Sequence, residues 1–571
     1  MKRNNILFIA LILGSFFSCK DTSVKPPYQI HKTAFADKAM VVSAHPLASK
    51  IGIEIMKQGG NAIDAIIAVQ FALAVVYPRA GNIGGGGFMV IRKADGTAAA
   101  LDYREKAPLA ADRDMYLDSL GNVIPNKSRV GHLAVGVPGT VAGMLAAQKK
   151  MGKLTDYKKL LEPAIRLASK GYKITQTEAD RLNRFRGDFL KQNSAPVPFV
   201  KEGKWKMGDV LVQKDLAHTL ELIRDKGREG FYGGPTADKI VAEMQRGHGI
   251  ITLEDLAKYQ PKWRTPITGF YKNFKIITMP PSSSGGIALM QLLEIIEDYP
   301  IAKWGFHSPK AIHLTVEAER RVYADRAEYL GDSDFYSVPT DSLLNKAYLK
   351  ARMSNFQMDK ATSSDTILAG NFHQMVESFE TTHTSVVDAQ GNAVSVTTTL
   401  NLNYGSKVVV AGAGFLLNDE MDDFSAKPGV PNYFGLIGNE ANAIQPQKRM
   451  LSSMTPTIVE KDGALFLVVG TPGGSTIITS VLQIFLNVTE FGMTLEEAVN
   501  ASRFHHQWLP DDVKFEKDGL DSPTLSNLEV MGYVLTEVNR IGIVKAIQVL
   551  PNGKLNGVGD PRNPDDHAEG W

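Results

Sequence analysis

The sequence predicts an α+β protein in which helices and sheets form separate layers around a large core. Apolar residues recur at helical spacing through much of the first two thirds of the chain, whereas alternating, strand-like segments dominate after residue 380. Composition agrees with this class, because 571 residues with 44% hydrophobic and 22% charged side chains can bury a sizeable core.

The predicted elements follow in order along the chain. A helix over residues 48–58 ends at a glycine pair, and Asn61 caps a second helix over 62–75, whose apolar residues run nearly all round, as in a buried helix. The middle of the chain, 140–360, is predicted to be mainly helical, with its longest amphipathic stretch at 311–329. The predicted strands are 88–91, 98–103, 384–387, 393–400, 464–469 and 543–550, and a hairpin turn over 388–392 joins the third to the fourth.

The amino terminus has the features of an export signal. Two basic residues precede an apolar run over residues 6–17, shorter than the roughly 20 residues that a membrane-spanning helix needs. Phe16-Phe17-Ser18-Cys19 resembles a bacterial lipobox, in which the cysteine is lipidated and becomes the first residue. We therefore expect a lipoprotein signal peptide at 1–18, a tether at 19–39, and a periplasmic or envelope-associated protein anchored by lipid at Cys19. A secretory signal peptide that contains this cysteine by chance is the alternative.

Charge and cysteine content exclude several classes of function. The 63 basic and 61 acidic residues leave a net charge of +2 with no basic block, so the electrostatic signature of a nucleic-acid-binding protein is missing. A single cysteine excludes intrachain disulfides, zinc ribbons and iron–sulfur sites. The adjacent His505 and His506 point to opposite sides of any strand or helix, which favours a structural or capping role over a metal site.

Three glycine-rich loops stand out, at residues 81–87, 280–286 and 472–475. The first lacks the Gly-Lys-Ser/Thr ending of a phosphate-binding loop, so a tight loop where backbones approach closely is favoured. The third follows a predicted strand and precedes a helix near residue 476. Its amides are suited to an oxyanion, although an ordinary strand-to-helix turn explains the same pattern. The second has no assignable chemistry.

Considered together, eight segments resemble the γ-glutamyltranspeptidase family. Individually each is ambiguous: residues 381–385 alone are only a hydroxyl-rich start to a strand, and no Gly-x-Ser-x-Gly elbow indicates a serine triad. The resemblance runs from about residue 40 to the carboxyl end, with the segments in family order. They are GGNAIDA at 59–65, GNIGGGG at 81–87, YREKAP at 103–108, TTHTSVVD at 381–388, LLNDEMDDF at 416–424, KRMLSSM at 448–454, GTPGGS at 470–475 and RFHHQ at 503–507.

The resemblance implies a four-layer α-β-β-α fold of the N-terminal nucleophile hydrolase type and a precursor that cuts itself. Cleavage between Glu380 and Thr381 would give a large subunit over 40–380, behind the tether, and a small subunit over 381–571 that begins with the nucleophile. The freed α-amine of Thr381 then serves as the base for its own hydroxyl, and its ordinary pKa of roughly 7.7–8.0 suits this task near neutrality.

The resemblance also assigns roles to individual residues. Thr399 matches a hydroxyl that supports the nucleophile, and Gly473 and Gly474 match the oxyanion-hole donors, which selects the oxyanion explanation of the third loop. The α-carboxylate of the substrate would be bound by Arg104, Ser452 and Ser453, and its α-ammonium by Asn401, Glu420 and Asp423. Residues 427–438, with Tyr433 and Phe434, resemble a lid loop over the site.

The function implied by the resemblance is that of a γ-glutamyltranspeptidase and glutathione hydrolase. It would transfer the γ-glutamyl group of glutathione to water or to an amino acid or peptide through a threonine ester, without cofactor or metal. Two other hypotheses stay open. One is a related amidase, either a poly-γ-glutamate depolymerase or a β-lactam acylase, and the other is an uncleaved binding lipoprotein.

Overall fold

A computed structural model describes residues 25–368, 381–433 and 435–571 of the chain. Cys19 with the predicted signal peptide, Glu380 at the predicted cleavage site and Phe434 of the predicted lid lie outside the described residues. Among the helices of the described ranges, none is long and apolar enough to cross a membrane.

Two antiparallel seven-stranded sheets form the centre of the molecule. The first has the strand order β19-β2-β10-β11-β3-β4-β7 and the second the order β1-β18-β17-β13-β12-β9-β8. The strands are β1 Thr33–Ala36, β2 Met40–Ser43, β3 Gly86–Arg92, β4 Ala98–Asp102, β5 Tyr172–Lys173, β6 Val210–Leu211, β7 Lys262–Arg264, β8 Ile267–Tyr271, β9 Phe274–Thr278, β10 Thr382–Val387, β11 Ala393–Thr399, β12 Thr457–Lys461, β13 Ala464–Gly470, β14 Phe504–His505, β15 Val513–Glu516, β16 Leu535–Val538, β17 Lys545–Val549, β18 Leu555–Gly559 and β19 His567–Gly570.

Helices lie outside both sheets. They are α1 Pro46–Lys57, α2 Ala62–Val76, α3 Thr140–Met151, α4 Lys158–Lys170, α5 Gln176–Arg184, α6 Arg186–Gln192, α7 Lys214–Lys226, α8 Glu229–Tyr232, α9 Gly234–Arg246, α10 Leu253–Lys258, α11 Gly285–Glu297, α12 Ile301–Trp304, α13 Pro309–Tyr329, α14 Thr340–Leu343, α15 Lys346–Arg352, α16 Thr476–Thr489, α17 Leu495–Asn500 and α18 Ser522–Met531. A capping box starts α2, since Asn61 and Asp64 each accept the other's backbone N–H at 3.0 Å.

The alternation of side chains along the strands builds four layers. In the first sheet, Val41 and Met89 pack against the core formed with α1, α2, α4 and α7. Their neighbours Met40 and Phe88 point to the opposite face and meet side chains of the second sheet. The second sheet buries its outer face under α11, α13 and α16. The four-layer α-β-β-α arrangement implied by the resemblance is therefore confirmed.

Most elements predicted from local pattern are present, and the middle of the chain is mainly helical as predicted, but three strands within it were not predicted. Strands β7, β8 and β9 lie within residues 262–278, and two of them, β7 and β8, are edge strands of the two seven-stranded sheets. The edge strand β8 alternates partly buried and exposed residues, with Phe270 64% exposed. Such short edge strands carry no continuous apolar run, and the helical patterns on both sides obscure them.

The tether predicted at 19–39 is also too long. Thr33–Ala36 forms the edge strand β1, which pairs antiparallel with β18, so that Thr33 lies opposite Val558. The pairing partner is more than 500 residues away in the sequence, and the local composition of residues 20–36, polar with two prolines, gives no sign of it. Register that is set by a distant strand is not encoded locally.

Candidate active site

The β10–β11 hairpin brings two threonine hydroxyls together. Thr382 pairs with Thr398 across the hairpin, so Thr381, immediately before β10, lies beside Thr399 at the end of β11. The Thr381 Oγ1 donates a hydrogen bond to the Thr399 Oγ1 at 3.5 Å, and the Thr399 Oγ1 accepts the backbone N–H of Asn401 at 2.7 Å. Both threonines are nearly fully buried. The local turn chemistry of the hairpin thus fixes the position of the predicted nucleophile.

The glycine loop at 81–87 supports the end of β11 from behind. The side-chain amide of Asn82 donates to the carbonyl of Thr399 at 2.8 Å, and its Oδ1 accepts the N–H of Gly85 at 3.0 Å. A Cβ placed on Gly85 would lie 2.1 Å from the same Thr399 carbonyl oxygen. The predicted role of this loop, close approach of backbones, is confirmed.

We expect Gly85→Ala to destabilise the fold by roughly 1–3 kcal/mol, because the added methyl group meets a backbone carbonyl that cannot rotate away. It should also displace Thr399 and slow turnover. Gly187→Ala in α6 is the control, since a Cβ there meets nothing within 4 Å, and it should be neutral or stabilising by up to about 1 kcal/mol. Urea unfolding of both variants measures the difference, and equal stability would contradict the role of the close approach.

The glycine pair 473–474 lies at the turn between β13 and α16. Gly473 and Gly474 have φ angles of 148° and 54°, which other residues rarely adopt. Within the described ranges their amides donate no hydrogen bond, and Gly474 lines the same cavity as Thr381. This arrangement is suited to binding an oxyanion, so the role expected for these glycines remains compatible with the geometry.

A cluster of buried charges lies beside the threonines. Arg104 forms ion pairs with Glu420 through Nη1 and with Asp423 through Nη2, and its Nη1 lies 3.7 Å from the Glu105 Oε2. Its backbone carbonyl accepts the hydroxyl of Tyr259 at 2.8 Å. The resemblance assigned Arg104 to one end of the substrate and the two acids to the other. The structure joins the three residues in one ion-pair cluster, because opposite charges buried in one cavity neutralise each other.

The acids of this cluster exceed its cations. Burial raises the pKa of Glu105 to about 7 and holds the pKa values of Glu420 and Asp423 above their usual range. The Glu420 Oε2 and the Asp423 Oδ1 are buried and accept no hydrogen bond from the described residues. Arg104 therefore faces two carboxylates that each keep an unused acceptor oxygen. These oxygens could accept hydrogen bonds from a second cation, such as the ammonium group of a substrate.

The two predicted serines line the same cavity and are held by the loop 280–286. Ser284 donates from its backbone N–H and its hydroxyl to the carbonyl of Ser452, at 2.8 and 2.7 Å. Ser453 accepts a hydrogen bond from Arg326 on α13 at 3.1 Å. A loop with no chemistry assignable from sequence therefore positions this serine pair.

A cavity of about 340 Å³ unites these groups. Every residue predicted to contact the substrate lines this cavity, and so do both threonines of the nucleophile pair. Of the two glycines predicted to donate to an oxyanion, Gly474 lines it. The predicted residues in the lining are Arg104, Thr381, Thr399, Asn401, Glu420, Asp423, Ser452, Ser453 and Gly474. Six further residues line the cavity without an individual role predicted from sequence: Arg326, Asn432, Leu436, Leu451, Met454 and Ile477. Asn432 and Leu436 fall within the predicted lid loop and Leu451 and Met454 within the motif at 448–454, whereas Arg326 and Ile477 lie outside every segment of the resemblance.

The described part of the predicted lid contributes to the cavity through residues other than Tyr433. Asn432 and Leu436 line the cavity, whereas Tyr433 contacts Arg129. The Cζ of Arg129 lies over the Tyr433 ring, 4.7 Å from the ring centroid. The backbone N–H of Tyr433 donates to the Asp422 Oδ2 at 3.1 Å, and the hydroxyl of Ser128 donates to the other oxygen. Asp422 therefore anchors the loop from below.

We expect the stability of the protein to depend on pH through the buried carboxyl group of Asp422. Burial raises its pKa from 3.8 to about 6, so the folded state binds the proton more tightly than the unfolded state. Stability from this group is full below about pH 4 and is lost as the pH rises through 6. The free energy of unfolding of the wild type relative to Asp422→Asn should fall by about 1–2 kcal/mol between pH 5 and 7.5. Urea unfolding at both values tests this, and a pH-independent difference would contradict it.

The four-layer fold, with a threonine immediately before a central strand and paired to a second hydroxyl, defines the class of N-terminal nucleophile hydrolases. The sequence model of the gamma-glutamyltranspeptidase family matches residues 48–570, and the chain belongs to this family. It is 47% identical to a glutathione hydrolase proenzyme of Escherichia coli (strain K12), over 99% of this chain and 98% of that protein.

Solved structures show the same relationship. A cephalosporin acylase from Bacillus halodurans superposes with a TM-score of 0.83 at 26% identity, covering 97% of this chain and 99% of that one. A chain of the Helicobacter pylori gamma-glutamyltranspeptidase superposes with a TM-score of 0.57 at 49% identity, covering 62% of this chain and 100% of that one.

Proposed function

We propose that this protein is a γ-glutamyltranspeptidase and glutathione hydrolase that matures by cutting itself before Thr381. The observation that carries the proposal is one cavity holding Thr381 together with a carboxylate-rich cluster around Arg104 and a serine pair. This set matches a γ-glutamyl head, which presents one ammonium and one carboxylate next to the scissile amide. The 47% identity to a glutathione hydrolase proenzyme over nearly the whole chain supports it.

The chemistry is acyl transfer in two steps. The Thr381 Oγ1 attacks the γ-carbonyl carbon while its own α-amine accepts the hydroxyl proton. The amides of Gly473 and Gly474 stabilise the negative oxygen of the tetrahedral intermediate. The C–N bond then breaks, the α-amine returns the proton to the leaving nitrogen, and a γ-glutamyl ester of Thr381 remains. Water or an acceptor amine attacks this ester, gives its proton to the α-amine, and releases Thr381.

Recognition of the head follows the charges of the cavity. The ammonium group binds at the unused oxygens of Glu420 and Asp423, near Asn401, and relieves the cost of burying two carboxylates with one guanidinium. The carboxylate is bound by Arg104 with Ser452 and Ser453. Thr399 keeps the Thr381 hydroxyl oriented, and residues 427–438 close the cavity above the head, Asn432 and Leu436 facing it.

Maturation and location belong to the same proposal. Self-cleavage between Glu380 and Thr381 yields the large and small subunits of a heterodimer, and the signal peptide at 1–18 directs export with lipid attachment at Cys19. Intact mass of the purified protein tests both points. A small subunit beginning at Thr381 and a large subunit beginning at lipidated Cys19 are expected.

A β-lactam side-chain acylase is the second candidate, favoured by the close superposition on a cephalosporin acylase. The two activities differ at the head, because a glutaryl group is a γ-glutamyl group without its ammonium. The purified full-length protein should therefore hydrolyse γ-glutamyl-p-nitroanilide and glutathione. It should hydrolyse glutaryl-p-nitroanilide at least about 100-fold more slowly, since the buried Glu420 Oε2 and Asp423 Oδ1 then receive no ammonium donor. A preference for the glutaryl substrate would overturn the proposal in favour of the acylase.

A further inference from the structure

Arg326 is a buried arginine in the wall of the cavity. It lies near the end of α13 with 4% of its surface exposed. Its Nε donates to the Ser284 Oγ at 3.0 Å and its Nη2 donates to the Ser453 Oγ at 3.1 Å. Both hydrogen bonds go to hydroxyl groups, one of which belongs to the serine pair of the cavity.

The guanidinium of Arg326 has no carboxylate oxygen within 4 Å in the described part of the chain. Four other deeply buried arginines do have such a partner: Arg104, Arg320, Arg449 and Arg503 pair with Glu420, Asp511, Asp102 and Asp560. Burial lowers the pKa of Arg326 to about 10. A buried cation with no direct ion pair is costly to a fold, so its position in a cavity wall favours a ligand group of opposite charge beside it.

The charge balance of the cavity identifies that ligand. When both are ionised, Glu420 and Asp423 carry two negative charges against the single positive charge of Arg104. A bound zwitterionic head adds no net charge, so one negative charge remains uncompensated inside the cavity. Ionised Glu105 would add to this excess. Arg326 balances this charge, and its hydrogen bond to Ser453 places it beside the site proposed for the carboxylate of the head.

The hydroxyl of Ser453 connects Arg326 to the site proposed for the substrate carboxylate. An arginine donates but cannot accept, so the Ser453 Oγ is the acceptor in its contact with Arg326. The hydroxyl proton of Ser453 must then point to another acceptor, and Ser453 faces the cavity. Ser284, the second contact of Arg326, donates its own proton to the Ser452 carbonyl and holds the serine pair in place.

We propose that Arg326 is a positioning and specificity-determining residue for the α-carboxylate of the donor substrate. It directs the Ser453 hydroxyl toward that carboxylate and adds a second positive charge to that of Arg104, which is shared with two acids. This inference rests on the proposed γ-glutamyl activity and extends it, because it makes carboxylate recognition depend on a helix of the large subunit outside the serine and Arg104 motifs.

The test compares two donors that differ only in the α-carboxylate, γ-glutamyl-p-nitroanilide and 4-aminobutyryl-p-nitroanilide. Wild-type enzyme should prefer the first strongly. In Arg326→Met we expect kcat/KM for the first donor to fall by about 100-fold, mainly through KM, and kcat/KM for the second to change by less than about 3-fold. Arg326→Lys, which keeps the charge but loses the fork of donors, should give an intermediate preference.

Arg320→Met is the matched control. Arg320 lies on the same helix and is equally buried, but it pairs with Asp511 and does not line the cavity. Its replacement should lower the activity on both donors in parallel and leave their ratio unchanged. If Arg326→Met lowered kcat/KM for both donors in parallel, the inference would be overturned and Arg326 would have only a structural role. A wild type that fails to turn over the γ-glutamyl donor would instead overturn the proposed function, and the inference with it.

Discussion

Thr381→Ala is expected to remain a single uncleaved chain and to lose at least on the order of 10⁴-fold in turnover, because one residue supplies both the nucleophile and its base. The hydroxyl at 3.5 Å from the Thr399 Oγ1 is removed, and without cleavage the α-amine is never released. Denaturing electrophoresis with intact mass measures the cleavage, and hydrolysis of γ-glutamyl-p-nitroanilide measures the turnover.

The neighbouring Thr382 provides the matched control. Its hydroxyl is buried and has no hydrogen-bond partner in the described ranges, so Thr382→Val replaces it with a methyl group at no polar cost. This variant should be cleaved fully and keep activity within a few-fold of the wild type. Thr381→Ser should retain a hydroxyl and an amine and mature, more slowly because serine lacks the stiffening β-methyl. An active Thr381→Ala, or an inactive Thr382→Val, would show that the nucleophile lies elsewhere.

The parts of the site that sequence predicts are those with local signals. The hairpin that carries Thr381 and Thr399 is encoded by a five-residue turn in which the Asp388 Oδ1 accepts the N–H groups of Gln390 and Asn392, and alternation on both sides sets its register. Glycine is likewise required at position 85, because the backbone there lies close to the Thr399 carbonyl. The cluster of glycines at 81–87 makes this close approach visible in the sequence.

Other parts depend on partners that are remote in sequence. The edge strand β1 exists because β18 offers it an edge, and β8 pairs with β9 without a continuous apolar run. Arg326 belongs to a helix whose pattern predicts only burial. Its importance arises when α13 meets Ser284 and Ser453, two loops more than 160 residues apart. Likewise, motif matching places Arg104 and the two acids at separate ends of a substrate, whereas geometry joins them.

Arg104→Met should destabilise the protein by about 3–5 kcal/mol at neutral pH, because it leaves Glu420 and Asp423 buried without their cation. Both acids already have raised pKa values, so the variant should recover stability relative to the wild type as the pH falls and these carboxyl groups take up protons. Urea unfolding at pH 7.5 and 5 measures this recovery. Activity on γ-glutamyl donors should also fall by about 100-fold or more.

The surface pair Arg113–Glu440 separates burial from mere loss of an ion pair. Its side chains are 51% and 62% exposed, so Arg113→Met should change the free energy of unfolding by less than about 1 kcal/mol and leave the pH dependence unaltered. If Arg104→Met were as mild, or if its stability fell further on acidification, the two acids could not be ionised and paired with Arg104 in the folded state. The charge count that assigns Arg326 to the substrate carboxylate would then fail as well, since it requires both acids to be charged.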